Sequence, residues 1–275
     1  MNFFAILDQL ATADPDVLGR FDSRRAVFKH LGSAARRAAL AATPLLVGGL
    51  FKKAYAGTNA DTPIDILNYA LALEYLEQDF YAKFIASGLV PAGAPATAMA
   101  KIKQHEDGHV NLLKGVITTL GGTPRAMVQF KQSVFDANKT YAGLLGVAQL
   151  LEDTGVRAYK GRAAELVVGA SNGLPSSTQV SLLTTALQIH SVEARHAAHI
   201  RLLRGQTPWV SNSDDLAANA TYSGATPEAT TIQSNVDLPT KLAATYSAAD
   251  VAAAFDEALT PAEVLDASRA GGLIQ

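Results

Sequence analysis

The 275-residue chain has no cysteine, which excludes disulfides, thiolate zinc sites and cysteine nucleophiles and leaves oxygen and imidazole to hold any metal. Its 23 Lys and Arg against 25 Asp and Glu give a net charge of -2, without the excess of clustered cations that a nucleic-acid partner requires. Hydrophobic residues make up 48%, enough for one substantial core, and breaker-poor runs rich in Ala, Leu, Glu and Lys predict an all-α fold.

Residues 1–61 read as an amphipathic and basic N-terminal segment. Phe3, Phe4, Ile6, Leu7 and Leu10 form the apolar side of a short first helix. Arg24-Arg25 then precedes an apolar run from Ala38 to Phe51, and Ala54-Tyr55-Ala56 has the small-x-small form that signal peptidase accepts. This resembles a twin-arginine export signal, although the run is shorter than the roughly 20 residues of a spanning helix. The expectation is an exported (periplasmic) protein, or one associated with a membrane through residues 20–56. A basic amphipathic helix kept in the folded protein is the alternative.

Residues 62–205 read as a four-helix bundle. Asp61-Thr62-Pro63 supplies a cap and a proline at the first helical position, and a helix follows from Ile64 to about Ser87, closed by Gly88. A second helix runs from about Thr97 to Leu120 and stops at Gly121-Gly122-Thr123-Pro124. The connection 125–139 carries Val128, Phe130, Val134 and Phe135 and is expected to pack across the outside of the bundle. A third helix extends from about Asn138 or Thr140 to Gly169, and a fourth, capped by Ser176-Ser177, runs to about Arg204. Two short joints and one long crossover suit such a bundle.

Residues 206–275 form an extension, poor in pattern up to about Leu238, with Trp209 as the expected apolar anchor and two short acidic helices over 247–259 and 261–268. Those helices could pack on the bundle or mediate a homo-oligomer.

The chemistry lies in the bundle. Glu106 and His109 on the second helix, and Glu193 and His196 on the fourth, are each three residues apart. Three residues turn a helix by about 300° and rise about 4.5 Å, so each carboxylate and imidazole share a face. The first and third helices add Glu74 and Glu152 on apolar stripes, each followed seven residues later by a tyrosine, Tyr81 and Tyr159. Four carboxylates inside a bundle repel one another and cost several kcal/mol each to desolvate unless cations sit among them. The six side chains therefore predict a site for two divalent cations, and their donors suit Fe, Mn or Zn alike.

Glu, Glu-x-x-His, Glu, Glu-x-x-His in this order resembles the ferritin-like di-iron carboxylate superfamily. Leu73-Glu74-Tyr75-Leu76-Glu77, His105-Glu106-Asp107-Gly108-His109 and Leu151-Glu152-Asp153-Thr154-Gly155-Val156, with the acidic end Ala254 to Thr260, look like the ferritin-like family that includes desiccation-related proteins. The resemblance implies a ferritin-like bundle with Glu74, Glu106, His109, Glu152, Glu193 and His196 as metal ligands. It further implies oxygen- or peroxide-dependent iron oxidation in stress protection. The alternative is a structural or protective module whose metals stabilise the fold or whose site is degenerate.

Several residues carry plainer readings. His105-Glu106-Asp107-Gly108-His109 also satisfies the zinc-protease form His-Glu-x-x-His, which would leave Glu74, Glu152 and the second Glu-x-x-His without a role. Glu77 is an alternative ligand to Glu74 but is expected at solvent or an interhelix rim. His105, His190 and His199 are expected to orient a ligand or lie at the surface. Tyr81 and Tyr159 are expected to hydrogen-bond a ligating Glu, and Gln149 and Asp153 either lie beside the site or face water.

Overall fold

The computed structural model describes residues 61–168, 174–242 and 245–275, all within one compact unit. The N-terminal segment and the 169–173 turn lie outside the described residues. The bundle consists of α1 (Pro63–Ala86), α2 (Ala94–Thr119), α4 (Tyr141–Ala163) and α6 (Ser176–Leu203). Two short helices, α3 (Gln132–Ala137) and α5 (Glu165–Val168), interrupt its connections. The tail adds 3₁₀ turns at Asn212–Asp214 and Ala270–Leu273, and a two-residue hairpin, β1 (Ile232–Gln233) with β2 (Val236–Asp237). Three single-turn helices complete it, α7 (Leu238–Leu242), α8 (Ala248–Ala252) and α9 (Pro261–Val264).

Local chemistry sets the helix starts. Thr62 accepts from the Asp65 amide while Asp65 accepts from the Thr62 amide, a reciprocal cap in front of Pro63. Thr140 caps α4 through the Gly143 amide at 3.0 Å. The expected serine cap of α6 is not made, because Pro175 occupies the cap position and helix begins at Ser176 itself. The third helix is also shorter than its pattern suggests. It breaks at Ala164, an excellent helix former, so the cause is tertiary: α5 turns to set Leu166 into the core, against α1 and α6.

α1 packs chiefly on α2, and α4 on α6, and the two pairs close on a common core of Leu71, Leu76, Phe80, Phe84, Met99, Leu113, Ile117 and Ile200. The long α2–α4 connection crosses this bundle. Phe130 is fully buried against Phe80 at 5.1 Å between ring centroids, and its amide is held by Asp79 at 2.8 Å. The C-terminus runs beside it, pairing Phe130 with Ile274.

The tail lies on α4 and α6 rather than hanging from them. At Gly161 the tail backbone comes so close that a Cβ would strike the Leu259 carbonyl, and only glycine leaves that room. Arg157, buried, donates to the carbonyls of Thr221, Ser223, Thr226 and Glu257 and pairs with Glu228 at 2.8 Å. Arg201, also buried, pairs with Asp153 at 2.6 Å and Asp214 at 2.8 Å and donates to the Tyr222 hydroxyl. The expected anchor Trp209 is 55% exposed, and Tyr222 takes the buried place instead. Its hydroxyl gives it partners there that an indole could not match: it donates to Asp153 and accepts from Gln149 and Arg201. Among the described residues no helix is long and apolar enough to cross a membrane.

Candidate metal centre

One helix of each pair brings a single carboxylate and the other a Glu-x-x-His: Glu74 from α1, Glu106 and His109 from α2, Glu152 from α4, Glu193 and His196 from α6. All four carboxylates have 0% exposure, and both imidazoles are buried. The six side chains converge on one point in the bundle. His109 Nδ1 lies 3.0 Å from Glu74 Oε2, 3.1 Å from Glu106 Oε2 and 3.1 Å from Glu193 Oε1. His196 Nδ1 lies 3.0 Å from Glu106 Oε1, 3.2 Å from Glu193 Oε2 and 3.3 Å from Glu152 Oε2.

Two groups of four donors result, one of Glu74, Glu106, His109 and Glu193, the other of Glu106, Glu152, Glu193 and His196, each with its ligand atoms within 4.8 Å of one another. Glu106 and Glu193 give one oxygen to each group.

These contacts cannot all be hydrogen bonds. One imidazole nitrogen carries at most one proton, so it can serve one of the three oxygens facing it. Glu106 Oε1, Glu152 Oε2, both oxygens of Glu193 and Nδ1 of His196 are buried without a hydrogen-bond partner. Native interiors leave few polar atoms in that condition, and each such atom is expensive. Cations among them remove the deficit, and the oxygen and imidazole donors are those that iron, manganese and zinc accept. The residues present fit a metal pair.

Burial dominates the electrostatics of the metal-free cluster. It raises Glu106 to about 7, against the lowering effect of the nearby His109 and His196 imidazoles. It raises Glu152 to about 7 as well, against the lowering effect of His196 and of the Tyr81 hydroxyl. Glu193 is raised by burial and by the neighbouring charges of Glu106 and Glu74. Burial disfavours charge on His109, yet the carboxylates of Glu106, Glu193 and Glu74 outweigh it and lift the imidazole to about 12. Without metal, therefore, Glu106, Glu152, Glu193 and His109 hold their protons more firmly than free side chains do.

The two tyrosines cross over. Tyr81, seven residues after Glu74, donates to Glu152 Oε1 at 2.5 Å, and Tyr159, seven residues after Glu152, donates to Glu74 Oε1. Each aromatic ring thus fixes the carboxylate of the opposite helix.

Several placements depart from the sequence reading or add to it. Glu77 is not at a rim: it is 3% exposed, and burial together with Glu193 and Glu152 pushes its carboxyl well above the ordinary range. Space for it comes from α4, where a Cβ on Gly155 would lie 3.2 Å from Glu77 Oε1. Aligning Glu74 with Glu152 and Tyr81 with Tyr159 sets Glu77 against Gly155, a signal present in the sequence. His105 is half-buried and touches His196, whereas His199 is exposed and His190 is half-buried with its Nε2 unpartnered. Gln149 and Asp153 face neither water nor the cluster; both bond into the Arg201–Tyr222 network under the tail.

No curated protein matches the chain. Residues 62–206, more than half of its length, match the model of the ferritin-like domain, and they are the residues that form the bundle and carry all six converging side chains. The chain belongs to the ferritin-like domain family.

Proposed function

We propose that this protein binds two metal ions, iron in the first place, between Glu74, Glu106, His109, Glu152, Glu193 and His196, and uses them to oxidise iron with dioxygen or peroxide. In this reading Glu106 and Glu193, which belong to both groups of donors, would hold both ions, Glu74 and His109 would complete one group, and Glu152 and His196 the other. The observation that carries it is the double triangle of carboxylate oxygens around two imidazole nitrogens, with five buried donor atoms left unpartnered. Bound there, a pair of iron ions supplies one-electron redox chemistry towards dioxygen or peroxide.

The chain's own residues do the rest. Four ionised carboxylates match the charge of two divalent ions, so the cluster releases its held protons as metal enters. Tyr81 and Tyr159 orient the carboxylates of Glu152 and Glu74. Leu73, Leu76 and Ile102, buried on the same helices, keep bulk water out of the bundle interior. The kinship with desiccation-related proteins, and export or membrane association through residues 20–56, belong to the same proposal and rest on sequence resemblance alone.

Two variants and one assay test the reading. His109→Ala or Glu106→Ala should lower bound iron from about two to about one or fewer per chain, measured by metal analysis. Unchanged stoichiometry refutes the ligand assignment. Oxygen uptake on adding Fe(II) to the wild-type protein separates an oxidising centre from a purely structural one, which would consume none while losing thermal stability on chelation.

A further inference from the structure

The two halves of the cluster are related by the repeated Glu-x6-Tyr and Glu-x-x-His arrangement, yet the surroundings of their histidines differ. On the His196 side, His105 from α2 lies with its ring plane within 10° of parallel to that of His196 and its centroid 5.2 Å away. Its Nδ1 is 2.9 Å from His196 Nε2, the nitrogen pointing away from the carboxylates. On the other side, the hydrogen-bond contacts of His109 all run through Nδ1, the nitrogen inside the cluster, and among the described residues none is made through Nε2.

This difference has a chemical consequence. An imidazole that turns the lone pair of Nδ1 to a cation must carry its remaining proton on Nε2. For His196 that proton has an acceptor already in place, the Nδ1 lone pair of His105, whose own proton then sits on its Nε2. The ring planes are parallel to within 10°, and with centroids 5.2 Å and nitrogens 2.9 Å apart the two nitrogens lie close to the line joining the ring centres, so the bond runs along the in-plane lone pair. A partner of this kind holds the ring orientation, fixes the tautomer and makes the ligating nitrogen more basic. Among the described residues no side chain offers His109 Nε2 such an acceptor.

We propose that His105 is a positioning residue for His196, and that through it the Glu152–His196 half takes its metal more tightly and first, leaving the Glu74–His109 half to fill second. The inference rests on the metal-site reading above and adds an order of loading to it. His105 does not itself face the carboxylates; it acts only through the His196 ring.

Stepwise titration of chelator-treated, full-length protein with Co(II), followed by its absorption bands, tests the order. The wild type should show two resolved steps. His105→Leu, which removes the acceptor and keeps an apolar body, should weaken the tighter step about 10- to 100-fold and leave the weaker step in place. His105→Asn, whose amide oxygen can stand where Nδ1 stood, should recover most of the loss. Two cobalt ions bound by His105→Leu with wild-type affinities would overturn this proposal alone, as would equal weakening of both steps. A wild-type chain that takes up no cobalt overturns the metal-site reading with it. If His105→Leu fails to fold, the zinc-loaded wild type decides: its nitrogen NMR spectrum should place the His196 proton on Nε2, coupled to His105 Nδ1, and a proton on neither or an uncoupled one overturns the proposal.

Discussion

Helices α4 and α6 carry two buried polar clusters within a few turns of each other, and the two are built on opposite terms. Under the tail, Arg157 and Arg201 find carboxylates, carbonyls and a tyrosine hydroxyl, and none of these groups is left without a partner. In the bundle centre, carboxylates crowd two imidazoles with no arginine or lysine among them, and five donor atoms remain unpartnered. Burial is the same in both places. What differs is whether the chain supplies its own counter-charge, and the contrast separates a polar network closed by arginine from one left short of cations.

The largest expected effect breaks the comparison at the centre. Burial raises Glu106 and Glu152 from an ordinary 4.5 to about 7, so between those values the metal-free folded chain holds protons that the unfolded chain has released. The unfolded state then binds fewer protons, and stability falls as pH rises: it is fully present below about 4.5 and lost by about 7. His109 continues the trend, since its raised value makes its contribution present below 6.5 and lost as pH climbs towards about 12. Chelated protein should therefore melt at a clearly lower temperature at pH 8 than at pH 5, whereas the metal-loaded protein should not. A melting temperature of the chelated protein that is flat or rising over that interval contradicts the picture of a proton-holding cluster.

Next comes the tail. Arg201→Ala leaves Asp153 and Asp214 buried without their cation, which costs about 3–5 kcal/mol. Denaturant unfolding should show that loss while the metal content of the folded fraction stays at the wild-type level. A change in metal stoichiometry would mean that the two clusters are not separate systems.

Tyr159→Phe should have the smallest effect. It removes the hydroxyl donated to Glu74 and costs about 1–3 kcal/mol in the metal-free protein through the oxygen left bare. In the loaded protein the cost should be smaller, because a ligating carboxylate has a cation to face. Equal costs in the two states would argue that Glu74 does not meet a metal.

Much of this was legible along the chain, for a physical reason. A helix repeats every 3.6 residues, so the placement of Glu106 with His109, or Glu193 with His196, on one face follows from spacing alone. Contacts between helices do not. That Tyr81 reaches Glu152 rather than Glu74, and that Glu77 is buried because Gly155 opens a space on another helix, depend on how two elements meet. The tail was the least readable region. Its few short turns carry no long period, so nothing marked Tyr222 over Trp209, and Asp214, the distant partner of Arg201, lies in a single 3₁₀ turn. Arg201 was a signal: it follows Ala194, Ala197 and Ala198 on one helix face, and a charge so placed needs partners from somewhere else in the chain, whereas Arg157 shares its face with Asp153, Thr154 and Lys160 and reads like a solvated position.

The central claim is that cations neutralise the bundle's buried acids. Anomalous diffraction at the iron edge, with total metal analysis on protein purified without added metal, addresses it directly. Two peaks are predicted, one among Glu74, Glu106, His109 and Glu193 and one among Glu106, Glu152, Glu193 and His196. Metal-free crystals in which these carboxylates bond to ordered water instead would contradict it.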